Sequence, residues 1–197
     1  IFTSEYGTFE GQQSPNEFAI DMGYTRKLSD IFSGSVAVRY IRSDLTGGQL
    51  INGVESHAGN SYAALGAFYL YNEFRANRRD NILSAGINIQ NIGAKISYTE
   101  GEIKDFIPTM LKLGTAYTTE LDQYNTFTFS LEADKLLVPT PPVDTVIYED
   151  GYVIYPGGPV SDKSVIAGMF SSFTDAPGGF KEEMQEINLS AGVEYWY

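Results

Sequence analysis

Strict alternation of apolar and polar residues over long runs is the feature that most restricts the fold of this sequence. Between Phe127 and Ala133 every second residue is apolar, and the residues between them are polar. Successive side chains of a β-strand point to opposite faces, so a period of two predicts strands with one apolar and one polar face. The segment 60–73 is apolar on both faces and is therefore less decisive.

The alternation and its interruptions predict an all-β chain with about eight strands. Strands of about 9–13 residues exceed the usual length of about 5–6 in soluble proteins and suit a tilted membrane crossing. A helical period is found only in residues 163–173. The candidate strands lie near 1–9, 17–26, 32–43, 60–73, 80–92, 108–119, 124–136 and 184–197.

The connections between these strands alternate in length. Short connections at 27–31, 74–80 and 120–124 alternate with long ones, of which the longest runs from about 137 to 183. Outer-membrane β-barrels have short periplasmic turns and long extracellular loops. We therefore predict a transmembrane antiparallel β-barrel whose apolar residues face lipid and whose polar residues face the lumen. A soluble barrel or sandwich with an apolar core, or a closed eight-stranded barrel, remains the alternative.

Composition excludes several function classes. The formal net charge of −12 argues against nucleic-acid binding, which needs clustered lysine and arginine. Without cysteine the chain has no disulfide, no thiolate metal site and no cysteine nucleophile. The sequence begins and ends in strand-like segments without an initiator methionine, so we expect a piece of a longer protein.

The long loop at about 137–183 is the predicted binding region. Prolines end the preceding strand, tyrosines follow, and a glycine-rich turn at 175–183 leads toward the last strand. Exposed aromatic side chains on a rigid backbone are typical of recognition surfaces, although the loop could equally be a lid packed over the barrel mouth. The candidate partner-binding residues are Pro139, Pro141, Pro142, Tyr148, Tyr152, Tyr155 and Phe180.

The sequence does not indicate an enzyme, such as an outer-membrane lipid deacylase, which would need a serine, a histidine and a carboxylate within hydrogen-bond reach of one another. His57 is the only histidine, and its neighbours Glu55 and Ser56 are consecutive with it, an arrangement that rarely brings three catalytic groups into hydrogen-bond reach. No spaced ladder of Asp and Asn suggests a calcium site, and a transition-metal site is improbable with one His and no Cys. We therefore expect no catalytic residues, no cofactor and no metal.

Three segments resemble the PorV (LptO) family, FadL-like outer-membrane proteins of type IX secretion. They are KLLVPTPP at 135–142 with Asp134 before it, SSFTDAPGGFKEEMQEINLSAGVEYWY at 171–197, and DMGYTRKLSDIFSGSVAVRYIRSDL at 21–45. The resemblance implies a fourteen-stranded FadL-like barrel of which this chain supplies about eight strands. The family's hatch region and closing strands would lie outside it.

The resemblance also implies a role in protein secretion. A PorV-like protein binds the C-terminal signal domain of exported cargo at the outer face of the translocon pore, SprA (Sov). It passes this cargo to an attachment complex that contains the PorU sortase. The alternative is a FadL-type transporter of hydrophobic small molecules, which needs an apolar lumen pocket. The polar faces of the predicted strands count against that alternative.

The face assignment predicts opposite outcomes for two neighbouring arginine substitutions. Phe129→Arg should abolish folding into the membrane, because a midplane arginine on the lipid face costs about 2–4 kcal/mol. Thr128→Arg should be tolerated, since an arginine in the lumen stays hydrated. Heat-modifiable gel migration measures the folded fraction, and loss of the folded band in Thr128→Arg alone would mean that the faces are inverted.

Overall fold

The computed structural model describes residues 2–3, 9–11, 15–45, 47, 50–51, 54–99, 104–140, 147–149, 152–154 and 162–197. The long strands are β3 (Asn16–Lys27), β4 (Phe32–Asp44), β7 (Gly59–Ala76), β8 (Arg79–Gly93), β9 (Met110–Glu120), β10 (Thr126–Leu136) and β13 (Ile187–Trp196). The short strands are β1 (Phe2–Thr3), β2 (Phe9–Gly11), β5 (Leu50–Ile51), β6 (Val54–Glu55), β11 (Ile147–Glu149) and β12 (Tyr152–Ile154). Two helices, α1 (Val165–Ser171) and α2 (Phe180–Gln185), precede the last strand.

The seven long strands form one antiparallel sheet in the order β13-β10-β9-β8-β7-β4-β3. Each long strand pairs with the next long strand along the sequence, so short and long connections alternate between the two ends of the sheet. The outermost strands, β3 and β13, do not pair with each other, so this sheet is open. The predicted all-β class and seven of the eight predicted strands are confirmed. The eighth, 1–9, lies mostly outside the described residues, although β1 and β2 pair with each other.

The two faces of the sheet have the predicted chemistry. One face, called the outward face below, carries exposed apolar side chains such as Met22 (77% exposed) and Leu189 (78% exposed). The opposite, inner face carries charged pairs, of which Arg39 with Asp21 is bidentate, with both nitrogen–oxygen distances 2.7 Å. The buried apolar residues of the described chain are Ala63, Ile96, Ile107, Leu137 and Ala176. They lie toward one end of the sheet rather than in a central core.

The short connections all lie at the same end of the sheet and form tight turns. Asn77 and Arg78 have φ angles of 53° and 64° between β7 and β8, which fits the two-residue turn whose twist matches the strands. Between β9 and β10, Asp122 accepts hydrogen bonds from the backbone N–H groups of Tyr124 and Asn125 at 2.9 and 3.0 Å. These bonds favour the charged carboxylate and lower the pKa of Asp122.

A β-bulge in β8 directs a side chain onto the inner face. Ala64 pairs with Ile92 and Gly66 with Ile89, so two residues of β8 lie opposite one residue of β7. Asn91 occupies this bulge with a φ of 58°, a conformation that asparagine tolerates. Its side chain accepts a hydrogen bond from Arg39 (2.8 Å) and donates one to the Pro108 carbonyl oxygen (3.0 Å). The bulge thereby joins β4, β8 and the connection between β8 and β9.

The helices lie in the long connection between β10 and β13. The helical period predicted at 163–173 is confirmed by α1, which Ser164 caps by accepting a hydrogen bond from Ala167 N–H. The glycine-rich turn predicted at 175–183 has a left-handed residue at Gly179, but α2 begins immediately after it, and β13 begins only at Ile187. In the part of the chain that the structure describes, no helix is long and apolar enough to cross a membrane.

Two glycines provide a matched test of this packing. A Cβ on Gly93, next to the bulge, would lie 2.6 Å from the Ala63 Cα and closer still to the Tyr62 carbonyl oxygen, whereas a Cβ on Gly66 would have no neighbour within 4 Å. Backbone atoms cannot yield as a flexible side chain can. We therefore expect Gly93→Ala to destabilise the full-length protein by about 1–3 kcal/mol and Gly66→Ala to be neutral or slightly stabilising. Urea unfolding followed by circular dichroism measures both, and equal midpoints would contradict the bulge packing.

Candidate functional site at the loop-bearing end of the sheet

The connection between β8 and β9 folds across the inner face at the end where the long connections lie. Ile96 and Asp105 exchange two backbone hydrogen bonds of 2.9 and 2.8 Å, which closes the connection on itself. Ile96 and Ile107 are buried with Ala63, an inner-face residue of β7. This small apolar cluster fixes the connection to the sheet.

A cavity of about 570 Å³ lies between this connection and the inner side of β3 and β4. Tyr98 donates to Ser43 Oγ at 2.9 Å, and Ser43 donates to Glu17 at 2.6 Å, so a chain of hydrogen bonds crosses one wall. On the other wall Arg39 is held by Asp21 and Asn91. The polar groups that bind one another here orient the wall side chains, while Ile41, Ile96 and Ile107 give the cavity an apolar part.

Lys135 anchors the connection between β10 and β13 to the end of β10. Its Nζ lies 3.0 Å from a Glu183 oxygen and 2.8 Å from a Glu186 oxygen, and only 7% of the lysine side chain is exposed. The other Glu183 oxygen accepts the Ala176 N–H at 2.8 Å, and the other Glu186 oxygen accepts the Thr140 hydroxyl at 3.2 Å. A buried charge needs this many partners to offset its lost hydration. The cluster therefore joins the start of the connection to its end.

A further series of polar contacts joins the connection between β8 and β9 to the connection between β10 and β13. Asp175 accepts hydrogen bonds from the Thr140 N–H (3.3 Å) and the Ser171 hydroxyl (3.2 Å). The Lys163 ammonium lies 3.2 Å from the same Ser171 hydroxyl, and the Lys163 carbonyl oxygen accepts a hydrogen bond from the Lys95 ammonium. The Lys95 ammonium in turn lies 4.2 Å from the centroid of the Phe106 ring. Residues 94–99, 104–109, 137–140 and 162–186, called the loop layer below, are thus held together.

The structure separates the predicted binding residues into three groups. Pro139 is almost fully buried beneath α1, so in the loop layer it has a packing role. Phe180 is 81% exposed at the start of α2 and is accessible to a partner. Tyr148 and Tyr152 lie in β11 and β12, where only the backbone pairing is described. Pro141, Pro142 and Tyr155 lie outside the described residues.

His57 lies at the surface, in the segment between β6 and β7. Its ring is exposed, and Nδ1 lies 3.1 Å from the carbonyl oxygen of the next residue, Ala58. Its backbone N–H donates to the Tyr98 carbonyl oxygen at 2.8 Å. Ser56 is buried, whereas the side chains of Glu55 and His57 are both exposed.

The sequence reasoning missed the Lys135 cluster. Lys135 breaks the alternation of β10 by placing a charge on the outward face, and Glu183 and Glu186 are spaced by three residues. A charge at an apolar position is a signal for a buried partner. Which acidic residues would meet it was not visible, because a long connection separates them in sequence.

The comparison with family models gives a direct result for this chain. The model of PorV, type IX secretion system protein, matches residues 7–143. The chain belongs to the PorV family. The comparison with curated proteins gives no match.

The matched residues of the PorV family cover most of the sheet and part of the loop layer. They include β3, β4 and β7 to β10, the bulge at Asn91, and Lys135. Two of the three resembling segments, 21–45 and 135–142, lie within the match. The third, 171–197, lies beyond it. The acidic partners of Lys135 therefore come from outside the matched part.

The Lys135 cluster predicts how the loop layer responds to pH. Burial opposes charge on Glu183, but the Ala176 N–H and Lys135 outweigh it and lower the pKa of this carboxyl from its ordinary value of 4.5. A lowered pKa means that the cluster stabilises the loop layer above about pH 4.5 and is lost as the pH falls further. The mobility of a nitroxide attached at Thr174→Cys should therefore rise only below that pH.

In Lys135→Met the loop layer should detach from the sheet at a higher pH than in the parent protein. The nitroxide at Thr174→Cys should therefore become mobile already at or near neutral pH. Removing the lysine leaves Glu183 buried without its cation, which raises its pKa and costs about 3–5 kcal/mol. Lys181→Met, the same change at an exposed position of α2, is the control and should keep the parent profile. An unchanged midpoint in Lys135→Met would show that the ion pairs do not hold the loop layer.

Proposed function

We propose that this chain is part of an outer-membrane β-barrel that delivers proteins during type IX secretion. The observation that carries the proposal is membership of the PorV family, which makes the chain a type IX secretion system protein. We infer that the seven-stranded sheet belongs to a larger, FadL-like barrel of fourteen strands. Its open edges at β3 and β13 are compatible with further strands on either side.

The surface of the sheet supports a membrane location for this barrel. Large apolar side chains of the outward face are exposed on every long strand, including Val38, Phe129 and Val193. Extended apolar surfaces of this kind are unfavourable in water and favourable against lipid. On the inner face Lys112 pairs with Glu132 at 3.1 Å and Asp134 at 3.2 Å, which suits a hydrated lumen.

The proposed activity is binding and transfer of cargo. The barrel would bind the C-terminal signal domain of an exported protein at the outer face of the translocon pore, SprA (Sov). It would then pass the cargo to the attachment complex that contains the PorU sortase. The long connections converge at one end of the sheet, and the loop layer there is a rigid base for a recognition surface. We propose a binding role without catalysis, in accordance with the exposed position of His57.

A FadL-type transporter of hydrophobic small molecules is the alternative. That function needs an apolar pocket in the lumen. The inner face carries the Arg39–Asp21 pair and the Lys112 cluster, which would have to lose hydration next to an apolar ligand. The inner-face charges therefore favour the binding role.

The binding role predicts a defect in delivery rather than in folding. Replacing Tyr148, Tyr152 and Tyr155 together by Ser should leave the abundance of the barrel near normal, because loops outside the bilayer contribute little to its folding. Surface display of cargo with the C-terminal signal should be lost, and less cargo should co-purify with the protein, since aromatic anchors dominate such interfaces.

Two substitutions serve as controls in the same assays. Tyr124→Ser removes an exposed tyrosine from the short-turn end, and His57→Ala removes the only histidine. Both should display cargo at the parent level. Normal display in the triple variant would remove the tyrosine segment from the binding site, and loss of a lipid-deacylating activity in His57→Ala would revive an enzymatic function.

A further inference from the structure

Helix α1 buries Gly168 and exposes two large apolar residues, Ile166 and Phe170, while Val165 and Met169 are half-buried. Gly168 is buried so closely against Phe106 and Pro139 that a Cβ would lie 2.8 and 2.9 Å from their ring atoms. One turn further, Ser172 is fully buried. A surface helix normally buries its apolar stripe and exposes its polar side. In α1 the relation is reversed.

The residues on the exposed side of α1 are large and uncharged. Ile166 is 55% exposed and Phe170 is 74% exposed, and they are four residues apart on one side of the helix. Phe173, just after the helix, is also exposed. No charged residue occurs between Ser164 and Thr174. Burying glycine while exposing phenylalanine is favourable only if the exposed side meets an apolar environment.

Helix α2 also exposes large apolar residues. Phe180 and Met184 are four residues apart and both exposed, whereas Glu183 is buried against Lys135. The acidic residues of α2 thus attach it to the sheet and leave its apolar residues facing outward. Ile166, Phe170, Phe173, Phe180 and Met184 are called the apolar helix surface below.

The register of β10 shows on which side of the sheet α2 is attached. Lys135 follows Leu131 and Ala133 at spacings of two, and the pairing with β9 and β13 is regular along the whole strand. These three residues therefore share the outward face. Since Glu183 and Glu186 bind Lys135, α2 is held on the outward side of the strand end. Beyond α2 the chain enters β13, whose Leu189 and Val193 are exposed on the same face.

We propose that the apolar helix surface lies in the outer leaflet of the membrane, at the boundary between headgroups and acyl chains. This inference depends on the proposed membrane barrel and adds that the loop layer itself touches lipid. The same outward side of the sheet carries the apolar strand residues and the attachment point of α2, so the apolar residues of α2 extend the lipid-facing surface of the strands. Phenylalanine-bearing amphipathic helices are well suited to that depth. A bilayer covers both helices without requiring a complementary protein surface.

Site-directed spin labelling of the full-length protein tests the inference. These 197 residues contain no cysteine, so single cysteines at Phe170, Phe180, Lys181 and Val193 can each carry a nitroxide once any cysteine elsewhere in the protein has been replaced by serine. The protein is reconstituted into phosphatidylethanolamine–phosphatidylglycerol vesicles. Collisions with oxygen, which concentrates in lipid, are compared with collisions with a nickel chelate, which stays in water. Heat-modifiable migration verifies that each labelled variant is folded.

The expected oxygen-to-nickel ratio is several-fold higher at Phe170→Cys and Phe180→Cys than at Lys181→Cys, the matched exposed site on α2. It should be highest at Val193→Cys on the outward face. Ratios at Phe170→Cys and Phe180→Cys equal to that at Lys181→Cys, with a high value at Val193→Cys, would overturn this inference and leave the barrel intact. Low collision rates with both reagents at the two phenylalanine sites would show that protein covers them and would also overturn it. A low oxygen value at Val193→Cys would overturn the proposed membrane barrel itself.

Discussion

The structure depends on one antiparallel ladder, shifted only at the bulge in β8, in which every long strand turns the same kind of side chain to the same face. The alternating side-chain pattern and the tight turns determine the register, because a shift of one residue would exchange the apolar and polar faces. Asp21 opposite Arg39 and Lys112 opposite Asp134 match this register on the inner face. Their ion pairs would be lost by a slip, and the apolar residues would turn inward. The same alternation therefore determines both the sheet and its surroundings.

Departures from regular strands occur where the long connections meet the sheet. The bulge at Asn91 turns one side chain toward Arg39 and Pro108, and Lys135 places a charge where the pattern of β10 calls for an apolar residue. Each departure creates a polar attachment point for a connection that lacks a large apolar core of its own. A rigid loop layer built in this way can hold a recognition surface in a fixed orientation, as the proposed cargo-binding role requires.

The two helices connect this attachment to the proposed membrane contact. Glu183 satisfies Lys135 on one side of α2, and Phe180 and Met184 face away from it. In α1, Gly168 allows a close approach to Phe106 and Pro139, which leaves Ile166 and Phe170 exposed. The loop layer therefore combines a polar inner attachment with an apolar outer surface. In a bilayer both would be satisfied at once.

The sequence by itself determined the strands, the faces and the two kinds of connection, because a period of two, proline and glycine act over a few residues. It predicted α1 from its period, and its family resemblance was confirmed over residues 7–143. It did not predict the bulge at Asn91, the helix α2 or the burial of Pro139. The partnership of Lys135 with Glu183 and Glu186 was likewise decided only by tertiary structure. Such contacts join residues about fifty positions apart, and local patterns carry no information on which distant groups the folded chain brings together.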